Sequence, residues 1–393
     1  MLKDLVDFLL DQAVDPSLRA VVACSNALRS LELRSMKACV VGTALPLVKL
    51  TLALLVLILL LALLLLLSSF LWGLISPQKR FIYESKHAVV TGGSSGIGLA
   101  LAEEYLRNGC NVTIVARDKK KLKAALQSLQ DVCLSLSNKV AVMAASIDVT
   151  SSSEEFSSGL KDAMKKFGAV DVLVNCAGSS VAAAFDDLAE GDFEKMLRLN
   201  VLGSVYPTRA VLAGMKDRGE GRIVFVASQV AHVAIHGYTA YAASKWALRG
   251  LAEALQMEVK PFNIFVSVAY PPDTDTPGYA LEMQSKPQIT KKISESGQVF
   301  NPKVVAKDIV YYSAQRYFGV STGLDGYLMK QLHPGFSPVN SAVEVVQQML
   351  LAPVARAISV VYLLLWDWEV DKHVKATAKS SAAFQKKDTK KKR

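Results

Sequence analysis

The chain has 393 residues, of which 51% are hydrophobic, and it carries a formal charge of +10. That apolar content exceeds what a soluble enzyme of this length needs for its core, so part of the chain belongs in lipid. The charge is not a nucleic-acid signature. From Lys372 to Arg393 nine basic residues face one acid, Asp388, so this tail holds +8 of the +10 and the remainder is nearly neutral.

Residues 1–49 open the chain. Met1 to Asp15 has helical apolar spacing, but Asp4, Asp7, Asp11 and Asp15 exclude an acid-poor mitochondrial transit peptide, and the segment is assigned no role. Leu50 to Ile75 is then an almost seamless run of Leu, Val, Ile and Ala. At about 1.5 Å per residue this run exceeds the ~30 Å hydrocarbon core, which predicts a tilted transmembrane anchor over 50–76. Flanking charge does not orient it, because Arg34, Lys37 and Lys49 on one side balance Lys79, Arg80 and Lys86 on the other.

Over 84–335 the pattern changes to short β-branched runs alternating with helical stretches. His87–Thr91, Val112–Ala116, Val140–Ala144, Val172–Asn175, Arg222–Ala227 and Ile264–Ala269 read as buried strands, with room for crossover helices between them. That alternation predicts an α/β fold, a doubly wound parallel sheet of Rossmann type. The five cysteines, Cys24, Cys39, Cys110, Cys133 and Cys176, are scattered and odd in number. They point to a reducing compartment and to neither a disulfide framework nor a metal site.

The first strand runs into Thr91-Gly92-Gly93-Ser94-Ser95-Gly96-Ile97-Gly98, which opens a helix expected over Ile97–Arg107. Gly92 permits the tight turn, Gly96 the approach of a pyrophosphate and Gly98 close packing of helix on strand, with the helix N-terminus facing the phosphates. The second strand ends in Arg117, where NAD-using enzymes place an acid for the ribose 2′-hydroxyl. Arg117 and Lys121, with Ser94 and Ser95 as donors, favour NADPH/NADP+. Asp118, one residue late, argues the other way. Asp148-Val149 after the third strand offers an acceptor to the adenine amino group. Asn175-Cys176-Ala177-Gly178 after the fourth lets the cofactor lie against the strand ends.

Tyr241 and Lys245, at i and i+4, share one face of a helix. A free phenol has a pKa near 10, too high for acid–base work at neutral pH. The Lys245 ammonium and an oxidised nicotinamide are expected to draw it down. Ser228, thirteen residues before Tyr241 at the end of the fifth strand, can donate to a substrate oxygen. Asn200, in a helix expected from Gly191 to Lys216, is placed to anchor a water that relays protons to Lys245. His232 and His236 read as packing or loop residues, since Tyr241 already fills the acid–base role. Together these residues imply hydride transfer to a carbonyl.

Beyond the sheet, 342–368 is apolar but contains Glu344, Pro353 and Arg356. It reads as a membrane-associated or second spanning segment, with a break at Pro353 favouring one that lies on or dips into the bilayer. The basic tail 369–393 ends Lys390-Lys391-Lys392-Arg393, which resembles a dilysine retrieval address and equally suits a solvated tail on anionic lipid.

From His87 to Met329 these motifs resemble the short-chain dehydrogenase/reductase family. The resemblance implies a seven-stranded Rossmann sheet, hydride transfer from the nicotinamide C4, a tetrad of Ser228, Tyr241, Lys245 and Asn200, and a homodimer paired through two long helices. Pro271-Pro272 departs from the Pro-Gly of most members and stiffens the loop. Thr274 and Thr276 then fall where members contact the carboxamide and diphosphate. A narrower resemblance lies in Gly203–Pro207, Gly221–Val226, Arg249–Pro261, Val268–Gly278 and Leu74–Pro77. It is to the branch that reduces a 3-keto sphingoid base with NADPH, which implies an endoplasmic reticulum membrane with the catalytic domain facing the cytosol. Asp273 or Asp275 would suit that substrate's ammonium, although both also read as loop or cap residues. Other membrane-held reductases, of 3-ketoacyl-CoA, retinal or steroid, stay open, as does a non-catalytic lipid-binding scaffold.

Overall fold

The computed structural model describes residues 80–333 apart from 137–138 and 295–296, together with 335, 337–391 and isolated positions between 50 and 64. The extension 1–49 lies outside the described residues. So does most of the anchor expected over 50–76, in which the few described positions, such as Leu54, Leu57 and Leu60, are helical and exposed.

Seven parallel strands order as β3-β2-β1-β4-β5-β6-β7. They are β1 His87–Thr91, β2 Asn111–Ala116, β3 Val142–Ser146, β4 Val172–Asn175, β5 Gly221–Val226, β6 Ile264–Tyr270 and β7 Gly319–Ser321. The chain starts in the middle of the sheet, winds to one edge through β3, then crosses back to β4 beside β1. The order reverses between β1 and β4, and the crevice at that switch point is where α/β sheets bind ligands.

Both faces of the sheet are covered, because side chains alternate along each strand. Ala88 and Val90 of β1, with Val112 and Ile114 of β2, pack with Leu101 and Tyr105 of the helix Gly96–Arg107, Leu122 and Leu129 of Lys119–Ser135, and Ile309 of Pro302–Ala314. Val89 and Val115 point to the other face. There they join Phe156, Met215 of Gly203–Arg218, and Leu248 and Leu255 of Thr239–Val259.

β3 begins two residues later than the sequence suggests and β7 is a strand it does not show; two helical elements also differ from the sequence expectation. The helix expected from Gly191 to Lys216 is in three parts: a helix over Asp192–Met196, a π-turn over Leu197–Leu202 and a helix over Gly203–Arg218. The break expected at Pro353 does not occur, because the helix Ala342–Lys391 runs straight through it. A proline removes one i→i−4 bond, and the neighbouring turns carry the helix across the gap. By length and composition, Val343–Ala376 is long and apolar enough to cross a membrane, with a mean hydropathy of 1.9 and 6% of its apolar window buried. Its first turn is tied down. Glu344, read as an acid within the apolar segment, is buried and accepts from Lys330 Nζ at 3.3 Å and from the Asn340 amide at 3.0 Å.

Candidate active site

An open cleft gathers the ends of β1, β4, β5 and β6. It is bordered by Gly92, Ser94–Gly98, Cys176–Val181, Ala227, Ser228, Tyr238, Tyr241, Lys245, Pro271–Thr274, Thr276 and Glu282, among others.

At its floor the chain turns sharply after β1. Gly92 takes φ +69°, and a Cβ there would lie 2.9 Å from the Ala177 backbone. Gly98 is tighter still, since its Cβ would meet the Gly92 carbonyl oxygen at 2.3 Å. The helix Gly96–Arg107 therefore starts directly against the turn. Ser95 at its N-cap makes no side-chain capping bond, so the leading amides face the cleft without an internal acceptor. A floor of bare backbone before an uncapped twelve-residue helix suits a diphosphate. Thr91 Oγ accepts from the Cys176 and Ala177 amides at 3.0 and 3.1 Å, which ties the turn to the end of β4.

The outer end of the nucleotide crevice is arranged differently from the floor. Arg117 is 63% exposed and lies 3.5 Å from Asp148 Oδ2. Burial raises the Asp148 pKa, but the amide and hydroxyl of Thr150, both at 2.8 Å, and then Arg117, offset this and leave it lowered. Asp118 turns away to cap its own helix, accepting from the Lys120 and Lys121 amides at 2.9 and 3.0 Å. Lys121 is exposed and Val149 buried. Neither they nor Arg117 and Asp148 border the cleft floor. Asn175 is buried and donates to Thr208 at 3.0 Å, which places it behind the crevice wall. Pro271 and Thr276 border the cleft. Thr276 caps the helix Pro277–Ser285 by accepting from Tyr279, and the buried Thr274 donates to the Pro272 carbonyl.

The candidate catalytic side chains converge. Ser228 lies beside Tyr241, where it lowers the phenol, and accepts from the Val230 amide at 3.2 Å, which fixes its rotamer at the end of β5. Lys245 Nζ lies 5.8 Å from the Tyr241 ring centroid and donates to the Val226 carbonyl at 2.9 Å. Asn200 sits on the π-turn, the kind of helix widening that recurs at functional sites. Its side chain accepts from the Ser179 amide at 3.0 Å and donates to the Ser179 carbonyl at 3.0 Å and to Ser244 at 2.9 Å. It is buried behind Gly178, where an added Cβ would meet Asn200 Oδ1 at 2.9 Å and Lys245 Nζ at 3.5 Å.

Burial dominates the electrostatics of the site. Within the protein's own groups the Tyr241 phenol is not drawn down. Burial pushes its pKa up, Ser228 lowers it, and Glu282 and Asp273 raise it further. Burial instead pushes Lys245 down to about 8. Tyr241 is thus a protonated phenol at neutral pH, the form from which a proton can be given. His232 stands apart: burial pushes it down to about 3, and its ring lies 4.0 Å from that of Tyr270.

Four residues of the site escaped the sequence reading, namely Ser180, Tyr238, Glu282 and Lys286. Tyr238 and Ser180 both donate to Glu282, the latter at 2.5 Å. Lys286 lies 3.6 Å from Glu282 and 3.8 Å from Asp273. Of the two acids singled out in the sequence, Asp273 borders the cleft and Asp275 is exposed outside it. The spacing of Glu282 and Lys286, four apart near a helix end, was the available signal.

Comparison with known proteins decides the family. The profile for short chain dehydrogenase matches residues 86–286. The chain belongs to the short-chain dehydrogenase family. It is accordingly an oxidoreductase that uses a nicotinamide cofactor. A 3-ketodihydrosphingosine reductase of Bos taurus is 48% identical over 294 residues, covering 75% of this chain and 88% of the relative. A 3-dehydrosphinganine reductase of Danio rerio is equally similar, at 48% over 294 residues with the same coverage. A 3-ketodihydrosphingosine reductase of Dictyostelium discoideum is 36% identical over 306 residues, covering 75% of this chain and 90% of the relative. Among solved structures, a short-chain dehydrogenase from Streptomyces avermitilis superposes with a TM-score of 0.53 at 30% identity, covering 62% of this chain and 90% of that one.

Proposed function

We propose that this short-chain dehydrogenase reduces 3-ketosphinganine to sphinganine with NADPH. The observation that carries the reading is the intact Ser228–Tyr241–Lys245 group on an acid-bearing cleft, in a chain 48% identical to 3-ketodihydrosphingosine reductases.

The floor amides of 94–98, with Gly92, Ala177, Gly178 and Thr276, would hold the diphosphate and nicotinamide ends, and Thr274 and Pro271 support the loop above. Bound there, the reduced nicotinamide supplies the hydride. Ser228 donates to the substrate oxygen as negative charge develops on it. Tyr241 gives its proton to that oxygen, so the ketone gains one hydride at carbon and one proton at oxygen. Lys245 stabilises the phenolate left behind, and Asn200 holds the Ser179 backbone beside it. Arg117 and Lys121 would receive the 2′-phosphate of NADPH. Asp118 does not compete, because its carboxylate is engaged by its own helix.

The helix Val343–Ala376 and the apolar run at 50–76 fit a protein held at the endoplasmic reticulum membrane with its catalytic unit in the cytosol. A substrate with a long alkyl chain stays in the bilayer, so a membrane-held catalyst meets it there.

The test is NADPH oxidation by the detergent-solubilised full chain, with 3-ketosphinganine beside a 3-ketoacyl-CoA and NADH as control. Turnover of the sphingoid ketone with NADPH supports the reading. Turnover of the acyl-CoA alone would reassign the substrate and leave the family standing.

A further inference from the structure

Asp273, Glu282 and Lys286 form an ion cluster beside the reacting phenol that the proton transfer does not use. Glu282 and Asp273 border the cleft together with Tyr241 and Ser228. The Lys286 side chain is fully buried, and its Nζ has no hydrogen-bond partner, lying 3.6 Å from Glu282 and 3.8 Å from Asp273. Two carboxylates against one ammonium leave the cluster one negative charge in excess. The Lys286 ammonium lies 5.4 Å from the Tyr238 ring centroid, and the Tyr238 and Tyr241 rings are 5.6 Å apart. Both acids act on the Tyr241 phenol through space. The excess charge is therefore within reach of the atom that receives the substrate carbonyl.

Buried charges persist when they are paired, and a surplus carboxylate on a cleft wall calls for a cation from outside. Glu282 is the better placed of the two. Ser180 donates to one of its oxygens and Tyr238 to the other, which fixes the carboxylate plane, and each oxygen keeps a lone pair. Burial raises the Asp273 carboxyl, and Lys286 is its compensating charge.

We propose that Glu282 is the specificity residue of the cleft, accepting a hydrogen bond from an ammonium on the carbon next to the reacting carbonyl. Tyr238, Ser180 and Lys286 position it, and Asp273 shares the field. The inference rests on the sphingoid-ketone reading above and deepens it. The site selects a protonated 2-amino-3-ketone over a neutral ketone, and it repels a substrate that brings phosphates to the same wall.

The experiment uses the detergent-solubilised full chain and two substrates of equal chain length, 3-ketosphinganine and its counterpart lacking the 2-amino group. KM and kcat are measured for the wild type and for Glu282→Gln, which keeps the size and an acceptor for Tyr238 or Ser180. NADPH binding, followed by nucleotide fluorescence, reports that the fold is intact. A charge-assisted hydrogen bond is worth about ten- to a hundredfold. The expected result is a rise of about that size in KM for the amino ketone and not for the deaminated ketone, so that the preference between them collapses, while the altered field at Tyr241 changes kcat for both ketones alike. If Glu282→Gln keeps the wild-type preference, or the wild type has none, the inference is overturned while the substrate reading survives. If the wild type reduces neither ketone but turns over a 3-ketoacyl-CoA, the substrate reading fails and the inference with it. Should Glu282→Gln not bind NADPH, Glu282→Asp carries the same comparison. A reduced preference is then expected, and an unchanged one overturns the proposal.

Discussion

Lys245 is 6% exposed, its ammonium donates to the Val226 carbonyl at 2.9 Å, and burial moves its pKa from 10.5 down to about 8. Between those two values the unfolded chain binds a proton that the folded protein does not. The sign follows from linkage: the cost of burying this charge is fully present below about pH 8 and is released as pH rises toward 10.5. The displacement corresponds to about 3 kcal/mol at neutral pH. Lys245→Met keeps the length of the side chain and removes the charge. It also forfeits the bond to Val226, worth about 1 kcal/mol. The variant should thus be about 2 kcal/mol more stable than the wild type at pH 7. For a domain of this size that raises Tm by about 4–8 °C, while turnover is lost. Thermal unfolding of the cofactor-free protein, followed by intrinsic fluorescence at pH 7 and pH 10, checks both parts, and the gain should largely vanish at the higher pH. A Tm at pH 7 equal to or below that of the wild type would refute the reasoning.

Three further substitutions probe separate links. Tyr241→Phe removes only the proton donor, so turnover should fall by about 10²–10⁴-fold while NADPH titration shows retained binding; near-normal turnover would refute the assignment. Arg117→Asp should lower the ratio of NADPH to NADH efficiency by about tenfold or more, measured from kcat/KM with each cofactor, and an unchanged ratio would place the 2′-phosphate elsewhere. Gly98→Ala sets a Cβ 2.3 Å from the Gly92 carbonyl oxygen, a backbone atom with no room to move. It should cost about 1–3 kcal/mol in thermal unfolding and weaken NADPH binding.

How legible each part was in the sequence followed from how local its cause is. β1 and β4 match their sequence bounds because apolar runs between turn signals define a buried strand at both ends. β7 leaves no mark in the sequence, since Gly319–Ser321 is too short to show any period and exists by pairing with β6. The π-turn at Leu197–Leu202 is indistinguishable in the sequence from plain helix, because apolar spacing does not register one wider turn. The glycine floor and the Ser228–Tyr241–Lys245 group were legible, being short strings with fixed chemistry. Glu282 was not. Its neighbours Ser180, Tyr238 and Asp273 come from three separate segments, and only the fold brings them to the wall that Glu282 shares with Lys286, four residues further along the chain. Sequence spacing places the Lys245 ammonium near Tyr241 but carries nothing of the burial that pushes the phenol up.

The most direct test of the central claim follows the hydrogen itself. The detergent-solubilised full chain is incubated with 3-ketosphinganine and NADPH carrying deuterium at both C4 positions, and the product is analysed by mass spectrometry. The account predicts sphinganine with one deuterium, located at C3, formed by the wild type and not by Tyr241→Phe. Sphinganine without deuterium, or no sphinganine from the wild type, would contradict it.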